Sequence, residues 1–185
     1  MPKVSPEHTE ARKRQILEGS QRAFARYGYD GATVAKLEEE TGLSRGAIFN
    51  YFGSKQDLFV ELAAGVSRRY GELIAASGLE TAVRAMAAED PDWLGVVLEA
   101  QARLRHDPEF VRKMEAAYEK AAPPLADWFA AQQADGAFRD DVDARDLGRF
   151  ASMVLNGFAL RIVGGDATDV DSLVFLLHDA LAPRK

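Results

Sequence analysis

Apolar residues in this chain recur three and four positions apart almost without interruption, and alternating β-branched runs are absent. That is the period of helices buried along one face. The pattern predicts a first helix from about Pro6 to Tyr27, with Ser5 and Pro6 as cap and first-turn residues and Ile16, Ser20, Ala23, Phe24 and Tyr27 as its inner stripe. Gly28 is placed for a left-handed helix end, and Gly31 lies in the same connection. Thr33 caps a second helix with Val34, Leu37 and Thr41 facing inward, and Gly42 ends it. Leu43 plugs the turn, Ser44 caps a third helix from Arg45 to Tyr51, and Gly53 breaks it. Ser54-Lys55-Gln56-Asp57 has the Ser-x-x-acid form of a capping box and opens a longer helix through Leu58, Phe59, Leu62, Val66 and Tyr70.

Gly78 separates that helix from a short one, Leu79 to about Ala88. Helices follow from Asp92 to about Arg105 and from Asp107-Pro108 to the double proline at Pro123 and Pro124, resuming from Leu125 to Gln133. Residues 134–142 read as a loop. Asp143 caps a long helix to Ile162, stopped by Gly164 and Gly165, and Thr168 to Ala182 forms the last. The fold class is all-α, about nine helices, with residues 1–55 as one functional unit and 56–185 as a second. The fourth helix runs across that boundary, so it is functional more than physical.

Composition narrows the classes. The chain has 185 residues, 47% of them hydrophobic, and no cysteine, which excludes disulfides and thiolate metal sites and fits a reducing cytoplasm. No apolar run approaches the roughly 20 residues that span a bilayer, so no membrane partner is expected. Net charge is −6 and unevenly spread: residues 1–60 carry +1 and residues 61–185 carry −7. Lys3, Arg12, Lys13, Arg14, Lys36, Arg45 and Lys55 lie in the first part, and DNA affinity follows local phosphate neutralisation, not whole-chain charge.

Residues 33–59 place a Gly-Leu-Ser turn between two short helices, the layout of a helix-turn-helix. On the third helix Ile48 and Phe49 are available to a core, leaving Arg45, Gly46, Ala47 and Asn50 on the other surface. Gly46 and Ala47 allow close approach to base edges, and Arg45 suits guanine O6 and N7. Thr33, Lys36, Ser44, Tyr51 and Lys55 complete the candidate DNA-binding set, as phosphate contacts and helix-N-terminal groups. A bare Gly-Leu-Ser turn equally fits an ordinary helical hairpin in a bundle; the small exposed residues and the aromatic-Gly-Ser-Lys exit favour DNA.

Residues 10–60, with QILEGSQRAFARYGYDGATV and GLSRGAIFNYFGSKQDLF, resemble the TetR family of bacterial transcriptional regulators, with Tyr51, Phe52 and Lys55 at that family's Tyr-Phe-x-x-Lys exit. The resemblance implies a homodimer on a pseudo-palindromic double-stranded DNA operator, a ligand-sensing C-terminal bundle, and repression released by a small-molecule effector. One departure stands out: where the family often shows Ile-Ala in the second helix, with a small residue that lets two helices pack, this chain has Leu37-Glu38. A narrower resemblance, carried by LEEETGLSRGAIFNYFGSK, the run from Trp93 through Glu99 and Arg105 to Phe110, and VLNGFALRIVGG, is to the aconitase-repressor subgroup of actinobacteria. That subgroup implies a carboxylate ligand such as citrate with a divalent cation; no other cofactor is required.

The last two helices carry wide apolar faces that need burial within the subunit or against a partner. Phe150, Val154, Leu155, Phe158, Leu173, Leu176 and Leu177 are the candidate dimer interface, following the family resemblance. Candidate ligand-binding residues are Trp93, Glu99, Arg103, Trp128, Asn156 and Arg161, with Gln101 and Arg105 nearby. Each also reads as a salt bridge, cap or solvated residue. Asn156 attracts interest because Leu155, Gly157 and Phe158 around it imply burial. His8, His106 and His178 lack ligand spacing, and the acids at Asp140, Asp141 and Asp143 lack the order of a calcium loop, so the metal ligands stay unassigned.

Rival readings from other classes are a helical enzyme or small-molecule binder with no DNA role, and an architectural DNA binder. Against the enzyme stands the absence of a nucleophile elbow, a phosphate-binding glycine loop, a His-Glu-x-x-His and a Glu-x-x-His carboxylate pattern. No catalytic residue is assigned. Against the architectural binder stands the large acidic C-terminal part.

Overall fold

The computed structural model describes the backbone of residues 5–104, 106–121 and 123–184, and within these the side chains except at 99–104, 118, 121, 123 and 124. Arg105 and the side chains of Glu99, Gln101 and Arg103 fall outside the described residues. Among the described residues nine helices form: α1 (Pro6–Gly31), α2 (Val34–Thr41), α3 (Arg45–Phe52), α4 (Lys55–Ala87), α5 (Pro91–Leu104), α6 (Pro108–Ala121), α7 (Pro123–Ala134), α8 (Ala144–Val163) and α9 (Val170–Leu181).

Ser5, Ser44, Ser54 and Asp143 cap their helices as expected, whereas Thr33 makes no side-chain cap bond and Asp169 is a cap the pattern did not predict. Side-chain oxygens of Ser5, Ser44, Ser54, Asp143 and Asp169 accept backbone N–H groups of the first turns of α1, α3, α4, α8 and α9, satisfying donors that a helix N-terminus leaves free. Two expected breaks take a different form. Gly28 has φ 68° and ψ 171°, yet one further turn reaches Gly31. Gly78 has φ 82°, and Leu79–Ala87 continues α4 beyond it as one kinked element. Residues with a Cβ rarely adopt such φ values. The last helix starts at Val170, two residues later than the pattern predicts, because Asp169 takes the cap.

Two cores organise the chain. In the first, Ile16 and Phe24 of α1, Leu37 of α2, Ile48 of α3 and Leu58 and Phe59 of α4 meet Trp93 and Val97 of α5 and Phe110 and Met114 of α6. Phe59 is its hub, with ring centroids 5.3 Å from Phe24, 4.9 Å from Tyr29, 6.4 Å from Trp93 and 6.1 Å from Phe110. In the second, Tyr70, Ile74 and Val83 of α4 pack with Leu94, Phe129, Leu147, Leu155, Phe158, Val174, Leu177 and Leu181. The N-terminal helices therefore share a core with α5 and α6, and α4 runs through both cores. No helix among the described residues is long and apolar enough to cross a membrane.

Candidate nucleic-acid interface

The α2–α3 turn is built from short-range bonds. Gly42 takes the left-handed conformation at φ 69° and returns its N–H to the Glu38 carbonyl at 2.9 Å. The Thr41 hydroxyl donates to the Leu37 carbonyl at 2.6 Å and accepts the Leu43 N–H at 3.2 Å. At α3, Ser44 Oγ accepts the Ala47 N–H at 3.4 Å, while the Glu38 carboxylate reaches across the turn to accept the Arg45 N–H at 2.6 Å. Glu38, the residue that departed from the family's pattern, thus holds α3 to α2. The small residue needed for close packing stands on α1 instead: a Cβ on Gly19 would come within 2.8 Å of Thr41 and Glu40 backbone atoms.

Burial sorts the face of α3. Ile48 is fully buried and Phe49 half-buried, while Arg45, Gly46 and Asn50 are exposed and Ala47 is half-exposed beside them. Nothing lies within 4 Å of a Cβ placed on Gly46, so no internal packing demands a glycine there. Among the described residues Arg45 has no ion-pair partner. This is a small, polar, open surface with a free guanidinium, suited to a groove.

The flanking candidates are placed around it. Thr33 stands at the α2 cap in extended conformation, exposed, with its hydroxyl unused by the helix. Lys36 pairs with Glu39 at 2.8 Å and lies 4.9 Å above the Tyr27 ring, which Arg26 also covers at 5.2 Å. The hydrogen bond that Lys36 donates to Glu39, together with the Glu39 charge, holds the Lys36 ammonium above its usual pKa. Tyr51 packs half-buried on the first core. Lys55 donates to the Asp30 carbonyl at 3.3 Å and sits 4.8 Å above Tyr29, and burial pushes its pKa down despite the nearby Asp30 charge. The third acid of α2, Glu40, binds Arg22 and Arg26 of α1, both at 3.5 Å. Each acid of the Glu38-Glu39-Glu40 run is thus engaged inside the head. Sequence reasoning missed these α1–α2 pairs because they join separate helices; the mid-helix Gly19 was the one available signal of a close approach.

Residues 16–62 match the profile of the bacterial regulatory proteins of the tetR family. Along its length the chain is 42% identical over 168 residues to the HTH-type transcriptional repressor Rv1474c of Mycobacterium tuberculosis, covering 90% of each. The chain belongs to the tetR family. It is 37% identical to the HTH-type transcriptional repressor AcnR of Corynebacterium diphtheriae, over 98% of this chain and 97% of that one. Salmonella enterica GusR has the same fold, with a TM-score of 0.73 at 18% identity, covering 97% and 99% of the two chains. As a tetR-family member the chain is a DNA-binding transcriptional regulator and not an enzyme.

The candidate ligand residues are dispersed. Trp93 is 1% exposed within the first core, edge-on to Phe59. Trp128 packs half-buried on Phe129 and Phe138 in the second. Asn156 is exposed, which corrects the expected burial: it lies on the side of α8 opposite Ala151, Leu155 and Phe158. Arg161 is exposed and paired with Asp166. An open cleft of about 630 Å³ lies beside α7 and the start of α8, lined by Asp127, Gln133, Asp140, Asp141, Asp143 and Arg145. Two of its four acids are occupied, Asp141 with Arg139 and Asp143 as the α8 cap. Among the described residues no group of three His, Asp or Glu is arranged to hold a metal ion.

The candidate interface residues divide too. Leu155, Phe158 and Leu177 are buried in their own subunit, and Val154 and Leu173 pack half-buried on the same core. Phe150 and Leu176 are exposed, as are Met153, Leu160, Val163 and Phe175, four residues the sequence reading left out. Both faces of α8 and α9 are apolar, so periodicity alone did not separate inner from outer.

Proposed function

We propose that the chain is a homodimeric repressor that reads a pseudo-palindromic operator with one α3 per subunit. The observation that carries this reading is the exposed outer face of α8 and α9, where Met153, Leu160, Phe175 and Leu176 are each more than 60% exposed. Large apolar side chains crowded on two helices call for a covering partner, and a second copy supplies the same face by two-fold symmetry. Asn156, set in the apolar outer stripe of α8, then faces the partner and favours one register over others, as a polar residue does in a helical seam. Two reading helices about one DNA turn apart, or a multiple of it, follow from such a dimer. Repression is supported by the relatives named as transcriptional repressors at 37–42% identity. An intracellular, cytoplasmic setting accords with that role.

The effector in this proposal is a small carboxylate such as citrate with a divalent cation, supported by the subgroup resemblance of the Trp93–Phe110 run and VLNGFALRIVGG. Trp93, Trp128, Asn156 and Arg161 do not converge on one cavity. The effector acts only through different affinities for two arrangements of α4, which passes from the DNA exit through both cores. The test is operator binding in competitor DNA by protein of measured mass. A dimer that protects two inverted half-sites supports the reading, and a monomer on a single half-site overturns it. Release of that complex by magnesium citrate, and not by citrate or magnesium alone, tests the effector.

A further inference from the structure

The seam between α4 and α6 holds a polar cluster that DNA contact does not explain. Lys113 Nζ of α6 lies 2.7 Å from Asp57 Oδ1 and 3.2 Å from Glu109 Oε1, and donates to Gln56 Oε1 at 3.3 Å. Gln56 Nε2 donates to Asp107 Oδ2 at 3.0 Å. The other Asp107 oxygen accepts the Glu109 and Phe110 N–H groups at 3.0 and 3.1 Å, capping α6. Asp57 Oδ2 accepts the Ser54 hydroxyl at 2.6 Å, and Ser54 Oγ accepts the Asp57 N–H at 3.0 Å. The first turn of α4 is thus gripped from α6 at Gln56 and Asp57, while Lys55 between cap and grip reaches the opposite way, to Asp30 and Tyr29. A Cβ on Gly53 would stand 3.0 Å from Asp57 Oδ2, so the cluster also adjoins the end of α3. Beneath it Phe59 packs on Phe110.

An isolated exposed ion pair contributes little. Here one ammonium joins two carboxylates and an amide, and that amide reaches a helix cap, so the members hold one another in place. We infer that Lys113 is a positioning residue for the operator-binding face: through Asp57 and Gln56 it fixes the first turn of α4, and with it Lys55 and the end of α3, against α6. This rests on the two-half-site reading proposed above and names its mechanical link. Anything that moves α6 pulls on the DNA exit by a charged grip at one lysine, as well as by apolar contact.

The experiment uses the full-length protein and an operator selected from random DNA by the wild type, remade with half-site spacings altered by one and two base pairs. Lys113→Met keeps the stem and removes the grip, Lys113→Arg keeps the charge, and Asp57→Asn keeps an acceptor for Ser54. Thermal unfolding is recorded alongside. Lys113→Met is expected to bind the preferred spacing about fivefold more weakly and to flatten the preference among spacings, the scale of coupling between neighbouring groups. Lys113→Arg restores the profile, and adding Lys113→Met to Asp57→Asn costs less than it does alone. An unaltered profile in Lys113→Met, or an equal loss at every spacing, overturns the positioning role. A wild type that selects no paired half-sites overturns the operator reading first, whatever the variants do.

Discussion

The first core and the outer face of α8 and α9 use apolar residues in opposite ways. Around Phe59 every large side chain finds a partner within the chain, and the surface left over on α3 is small and polar. On α8 and α9 an inner stripe closes the second core while Met153, Leu160, Phe175 and Leu176 stay outside. Recognition of DNA needs a rigid support behind exposed polar groups, and the N-terminal helices bury their largest core side chains while Phe49 and Tyr51 stay half-buried at the edge. The proposed self-association needs exposed hydrophobes, and the distal helices leave these uncovered. The two surfaces differ in what they leave unsatisfied, and that difference separates the DNA-reading end from the proposed pairing end.

Substitution at the hub tests the first half of the contrast. Phe59→Ala is expected to destabilise the subunit by about 3–5 kcal/mol in denaturant unfolding, the range for a buried aromatic. Phe175→Ala, at an exposed ring, leaves subunit stability nearly unchanged when measured under conditions that dissociate the dimer. The second half is tested by charge: Phe175→Glu with Leu176→Glu is expected to give a folded monomer by sedimentation. Its operator affinity falls by about 100-fold or more, the loss of linked two-site binding.

A sharper pair compares the two small residues of the head. Gly19→Ala forces a methyl against the Thr41 backbone and is expected to cost about 1–3 kcal/mol of stability, whereas Gly46→Ala meets open space, is expected to leave stability equal or raised by roughly 0.5–1 kcal/mol, and changes DNA binding. Arg45→Ala is expected to lose about 1–3 kcal/mol of discrimination at one base position with the dimer intact. An unchanged base preference in that variant removes Arg45 from direct readout.

The smallest effect is in pH. Burial alone would raise the Asp57 carboxyl, but hydrogen bonds from Lys113 and Ser54 outweigh it and hold the group below the usual range. The Phe110 N–H bond holds Asp107 low, and the Asp57 hydrogen bond raises Lys113. Depressed carboxyls contribute stability that is present above their unfolded pKa of about 4 and lost as pH falls through the lower folded value. A raised ammonium contributes stability present below about 10.4 and lost as pH rises through the higher folded value. The stability difference between wild type and Lys113→Met should therefore be flat from about pH 5 to 9 and shrink below about pH 4 in urea titrations.

Much of the head was legible because its signals are local. Gly42, Ser44, Gly53 and Ser54 each act within four residues, so turn and cap chemistry located α2, α3 and the start of α4 closely. The charged links were not legible: Glu38 to the Arg45 backbone, Glu40 to Arg22 and Arg26, and Lys113 to Asp57 depend on how separate helices meet. Trp93 and Asn156 show the limit from both sides. A tryptophan expected at a ligand packs behind the DNA-binding head, and an asparagine expected inside stands outside on an apolar stripe. Helical period reports that a face is apolar, not which neighbour covers it.

In the proposed dimer, two α3 helices held apart by two-fold symmetry read paired half-sites. Selection of binding sites by the full-length protein from random duplex DNA, at physiological salt with competitor, tests it most directly. Enrichment of two inverted half-sites at one fixed spacing is expected. Enrichment of a single unpaired half-site, or none over competitor, would contradict it.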